Sequence, residues 1–232
     1  MPEHTVNAFD EELSGLRGLI VQMGGIAEQA VKDSMVSLKR RDVDLAGQVI
    51  SRDIELDDLE KSIEERSIQT IAKRQPVARD LREIISAIQI ASNLERVGDL
   101  AKNTAKRTLA ISELVPRMFV NGLERMADQA RNQLKEVLDS YASADTARAM
   151  QVWRSDEELD GLFNSTFREL LTYMMEDPRN IGLCTHLLFC AKNLERIGDH
   201  TTNIAENICY LVDGQSLKEA RPKRDITSTT GV

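Results

Sequence analysis

Two stretches one hundred residues apart carry side chains that could do chemistry together. Asn93-Leu94-Glu95-Arg96-Val97-Gly98-Asp99 returns as Asn193-Leu194-Glu195-Arg196-Ile197-Gly198-Asp199, and Asn103 is matched by Asn203. Glu, Asp and Asn at i, i+4 and i+8 of a helix form one ridge of oxygen atoms. A core specifies shape and apolarity, so packing alone does not call for that ridge twice. Ridges of oxygen are what hard cations bind.

A second acidic pair precedes each motif: Asp53 with Asp57, and Asp156 with Asp160. The first pair centres about 21 residues before Pro76, and Glu95/Asp99 about 21 after it. At ~1.5 Å per helical residue both lie roughly 31 Å from that bend, facing each other. Around Pro178 the separations are about 20 and 19 residues, so the register holds twice. At ~100° per residue the carboxylates are expected beside the apolar stripe, lining an edge groove open to water and ions. Crowded carboxylates repel, and a multivalent cation relieves that repulsion. The metal ligands expected are therefore Asp53, Asp57, Glu95, Asp99 and Asn103, with Asp156, Asp160, Glu195, Asp199 and Asn203 in the repeat. Iron, Mn or Mg suits such donors, whereas three His and three Cys do not suggest a dedicated zinc site.

Other residues read more plainly. Acidic pairs on helices are often solvated faces paired with Lys or Arg, and Arg96 and Arg196 are at hand. Four pairs in matched register weigh against that reading here. Glu60 and Glu64 are matched by Phe163 and Phe167 and read as surface charge. His186 and Cys190 are matched by Ser86 and Ile90 and read as core packing, and His200 (matched by Leu100) as a local variation. Trp153 reads as a packing or interface residue. Gly98 and Gly198, each disfavoured in a helix by about 1 kcal/mol, are expected to let helices approach closely.

The elements that must hold these residues are helices. Aromatics are 4% of the 232 residues, while the 41% hydrophobic content suffices for a core. Phe9, Leu13, Leu16, Ile20, Met23, Ala27 and Ala30 recur at 4-3 spacing, the seam of a first helix. A second runs from about Val43 to Lys73, capped by Asp42 or Asp44, and Pro76 ends it. A third runs from about Ala78 to Ser112, burying Leu94, Val97, Ala101 and Thr104. Pro116 opens a second half with the same plan. Phe119, Leu123 and Met126 match Phe9, Leu13 and Leu16; Asp145 matches Asp42; Pro178 stands for Pro76. The fold expected is all-α: two tandem, pseudo-symmetric antiparallel three-helix bundles, residues 1–113 and 114–214, then a flexible polar tail over 215–232.

The formal net charge of −8 argues against nucleic acid as a partner. No run of about 18 apolar residues is present, and Met1 to Asp10 has no secretory pattern. Cys184, Cys190 and Cys209 suggest no disulfide framework, so a reducing cytoplasm is expected.

On NLER(V/I)GD, the duplication and the length, the sequence resembles the PhoU family of phosphate-uptake regulators over about residues 5 to 214. The resemblance implies a cytoplasmic, usually dimeric protein with multinuclear metal clusters on its surface. It implies a regulator that restrains the phosphate-specific ABC transporter, through its ATPase subunit, and helps a sensor histidine kinase silence the phosphate-starvation response. Membrane association is then peripheral, through those partners only. No nucleophile–base pair, Gly-rich phosphate loop or histidine base is evident, so an enzyme is not expected. The alternatives are a purely structural helical scaffold and a carboxylate-bridged dimetal enzyme, which would want a Glu-x-x-His spacing that is missing.

Overall fold

A computed structural model describes residues 3–111, 114–215 and 217, with side chains from Phe9 onward. Among these residues the chain forms six long α-helices and no strand: α1 (Glu3–Arg40), α2 (Val43–Arg74), α3 (Ala78–Ala110), α4 (Arg117–Ser143), α5 (Thr146–Glu176) and α6 (Ile181–Asp213). A short 3-10 turn, Pro178–Asn180, leads into α6. The fold is all-α, with two pseudo-symmetric antiparallel three-helix bundles in tandem. Most of the expected tail lies outside the described residues, although Leu217 packs on the core.

The turns were copied along with the helices. Arg41 and Ala144 occupy equivalent places after α1 and α4, each left-handed with φ 53°. The amide of the next residue reaches back to Ser37 O (2.9 Å) and to Ser140 O (3.0 Å), the Schellman closure of a helix end. Asp42 and Asp145 then cap the following helices, accepting from Leu45 N at 2.9 Å and Arg148 N at 3.0 Å. With two residues between them, the paired helices have no choice but to run antiparallel.

The stripe of α1 begins as its spacing predicts and then drifts. Leu13, Leu16, Ile20, Met23 and Ala27 are buried, but the next buried residue is Val31 rather than Ala30. A straight helix slips ~20° per heptad against a 3.5-residue repeat, which shifts the buried face within a few turns. On α3, Leu94, Val97, Ala101 and Thr104 are all buried, as expected. One continuous apolar core runs through both halves. They meet along α3 against α6 and α1 against α4.

Candidate metal-binding site

The α3–α6 seam sets the level of both motifs. Asn203 Nδ2 donates to Asn93 Oδ1 (3.2 Å), and Asn193 Nδ2 donates to Thr104 Oγ1 (3.2 Å). The Arg107 guanidinium lies 4.3 Å from the centre of the Phe189 ring. These pairings step along the two helices in opposite directions, placing Gly98 and Gly198 at one height. Each glycine is required by its neighbour. A Cβ on Gly98 would fall 2.2 Å from Leu56 Cδ1, and one on Gly198 would fall 2.4 Å from Leu159 Cδ2. The glycines thus allow α2 onto α3 and α5 onto α6, which is the close approach expected of them.

In the first half the two acidic pairs do meet. The Lys102 ammonium donates to Asp53 on α2 and, at 3.3 Å, to Asp99 on its own helix. One positive charge therefore already joins the helices through opposed carboxylates. Its pKa is raised, first by the bond to Asp53. Arg96 adds looser contacts, 3.4 Å to Glu95 and 3.6 Å to Asp99. Burial pushes Glu95 up to about 7, helped by Asp99 and, more weakly, by Glu60 and Asp57, against the pull of Arg96. Glu60, half-buried on α2, is near enough to add weakly to that push.

In the second half the same positions are drier. Asp156, Asp160 and Glu195 are only 2%, 3% and 3% exposed. Thr202 stands where Lys102 stood; its hydroxyl donates to Gly198 O at 2.8 Å and lies 3.4 Å from Asp156 Oδ1. Lys192 reaches Glu195 from the other direction (2.9 Å), its ammonium 5.0 Å from the Phe163 ring centre. Gln133 of α4 closes the inner side. Its amide nitrogen is held by Ser155 O (3.0 Å) and Ser155 Oγ (3.1 Å). Its carbonyl oxygen is buried and has no hydrogen-bond partner.

Two expectations need correction. Asp53, Asp156, Asp160 and Glu195 are buried, not ranged along an open edge. Asp53 falls within the stripe of α2, between Val49 and Leu56, because Gly98 leaves room for a carboxylate there. Asn203 turns its amide nitrogen to the seam between the halves, and Asn103 is exposed. Asp57, Glu95, Asp99 and Asp199 remain at the half-buried rim. His200 Nδ1 also lies on the seam, 3.0 Å from Asn93 Oδ1. Trp153 is buried and donates to Glu206 at 2.9 Å. Cys190 is fully enclosed, and burial pushes its thiol up to about 12.

Lys102, Gln133, Lys192 and Thr202 were missed by reading acids alone. The signal available was mismatch: Lys102 against Thr202, Gln133 against Ala30, Lys192 against Ser92. Among the described residues no three His, Cys, Asp or Glu side chains already converge as ligands of an ion. The donors nevertheless fit a hard cation. They are oxygens throughout, the first set holds an ammonium, and the second holds an orphaned carbonyl oxygen.

The PhoU domain model matches residues 20–108 and 123–208. The chain is 58% identical to the phosphate-specific transport system accessory protein PhoU homolog of Rhizobium meliloti, covering 98% of this chain and 97% of that protein. It is 50% identical to the homolog of the same name from Caulobacter vibrioides, over 98% and 100%. The crystal structure of PhoU from Pseudomonas aeruginosa superposes with a TM-score of 0.85 at 38% identity, covering 89% of this chain and 100% of that one. The phosphate transport system regulatory protein PhoU from Streptococcus pneumoniae superposes at 0.84 and 26% identity, over 91% and 100%.

Proposed function

The chain belongs to the PhoU family, and we propose that it is a metal-binding regulator of phosphate uptake rather than an enzyme. It restrains a phosphate-specific ABC transporter through its ATPase subunit, and acts with a sensor histidine kinase to keep phosphate-starvation signalling quiet when phosphate is plentiful. The names of its relatives, accessory proteins of phosphate-specific transport, support the transport side of this reading. No helix among the described residues is long and apolar enough to cross a membrane, which fits docking on membrane-bound partners.

One observation carries the metal side: a single ammonium spans Asp53 and Asp99 between two helices. Where one cation bridges opposed carboxylates, the oxygens are spaced for cations. Asp53, Asp57, Glu95 and Asp99 would hold a metal in the first half, and Asp156, Asp160, Glu195 and Asp199 in the second. Bound there, iron, Mn or Mg would supply charge that cancels carboxylate repulsion and presents a positive centre on an otherwise acidic protein. The protein acts as a homodimer in the cytoplasm.

A deletion strain tests the regulatory reading. High-affinity phosphate uptake is expected to stay on in phosphate-rich medium; normal repression in that strain would count against it.

A further inference from the structure

The chain carries a formal net charge of −8, yet the groove between α1 and α4 is basic. Lys32, Lys39 and Arg40 line it from α1 and Arg131 from α4, against two acids, Glu124 and Asp128. Met35 and Ala127, both buried, form its apolar floor. The space holds about 370 Å³ and opens to water on the seam where the two halves meet.

The fold does not demand these cations. Helix ends favour positive charge, which would account for Lys39 and Arg40 in the last turn of α1. That preference does not reach Lys32, two turns earlier, or Arg131 on the neighbouring helix. In the register of the copied turns, where Arg41 answers to Ala144, Lys39 and Arg40 correspond to Ala142 and Ser143. Arg131 corresponds to Glu28, and the last turn of α4 has no basic residue. The matching place at the other end of the α1–α4 seam thus lacks three of the four.

The cations are also loosely engaged. Lys32 and Arg40 are exposed and have no ion-pair partner among the described residues. Lys39 is paired with Glu124, but exposed pairs contribute little, so a stronger acceptor can take that carboxylate's place. Arg131 is half-buried and reaches Glu28 at 3.4 Å and Asp128 at 4.0 Å. Its Nε is buried and has no hydrogen-bond acceptor. A planar guanidinium with a donor to spare suits the paired oxygens of a phosphoryl group. Lys32 and Arg40 are eight residues apart, about 12 Å along the helix, further than one phosphoryl group reaches.

We propose that this groove binds a small anion carrying two or more phosphoryl groups, Arg131 holding one and Lys32, Lys39 and Arg40 the others. Inorganic oligophosphates and nucleotides both present such groups. The site needs neither the metal reading nor the regulatory one, since metal-stripped protein in solution tests it directly. Isothermal titration calorimetry is run in metal-free buffer at an ionic strength of about 0.15 M, with tripolyphosphate, ATP and inorganic phosphate as separate titrants.

Tripolyphosphate or ATP is expected to bind at one site per chain, and inorganic phosphate roughly tenfold more weakly. Whichever of the first two binds tighter identifies the source, an inorganic chain or a nucleotide. Lys39→Ala/Arg40→Ser installs the residues that already end α4, and Arg131→Gln removes the guanidinium. Each is expected to weaken binding roughly tenfold. Arg66→Ser/Lys73→Ala, which takes two exposed cations from α2, should leave affinity within about twofold. Far-UV circular dichroism checks that the variants fold. No binding of tripolyphosphate or ATP overturns the site, as does unchanged affinity in the groove variants or an equal loss in the α2 variant. Inorganic phosphate binding as tightly as either overturns the need for a second phosphoryl group.

Discussion

Set side by side, the α2–α3 and α5–α6 hairpins have nearly the same interior and different electrostatics. Leu56 and Leu159 each press on a glycine, and both are almost completely buried. Asp53 and Asp156 occupy the same turn of the same stripe. Around them, the first half satisfies its carboxylate with a lysine and lets Glu95 keep a side chain 14% exposed. The second has a threonine hydroxyl, not an ammonium, at that position and seals Glu195 inside. Duplication preserved what packing demands, because a core tolerates little change in volume. Charge placement diverged, because several arrangements of partners can satisfy one buried carboxylate.

The comparison can be broken at its shared interior. Leu56→Ala and Leu159→Ala are each expected to destabilise the protein by about 2–5 kcal/mol, and by similar amounts, since both remove the side chain filling the glycine notch. Urea unfolding checks this. A difference of several kcal/mol would show that the interiors are not equivalent after all.

A smaller effect sharpens the electrostatic contrast. In the folded protein Glu95 binds its proton up to about pH 7, against 4.5 for a free side chain. The stabilisation this gives is complete below about 4.5 and is lost as pH rises through 7. Metal-free protein should therefore melt lower at pH 8 than at pH 5, with Glu95 contributing about 2–6 °C. Glu95→Gln should flatten that window. An unaltered slope would mean that other groups set it.

The smallest effect concerns the copied turns. A left-handed residue other than glycine is strained by about 1–2 kcal/mol, and glycine's extra unfolded-state freedom offsets part of that. Ala144→Gly is expected to stabilise by a few tenths of a kcal/mol. Arg41→Gly should gain less, because Arg41 Nε also donates to Ile111 O at 3.3 Å. Thermal melts of the pair test whether turns with one backbone respond alike.

Much of this molecule was legible in its sequence. The repeat, the helix ends at Asp42, Pro76, Asp145 and Pro178, and the common height of the acidic pairs all follow from spacing, since a helix converts residue number directly into length. The close approach at Gly98 and Gly198 was legible too, because a glycine kept inside a helix against its propensity needs a packing reason. Spacing along one helix says nothing of what a neighbouring helix places opposite each residue. Only the tertiary structure decided that Asp53 is buried and paired with Lys102, that Asn203 serves the seam between the halves, and that Gln133 enters the second site from α4. These are contacts between segments distant in the chain, fixed by how six helices pack, and those of Asp53 and Gln133 involve side chains lying outside the repeated motif.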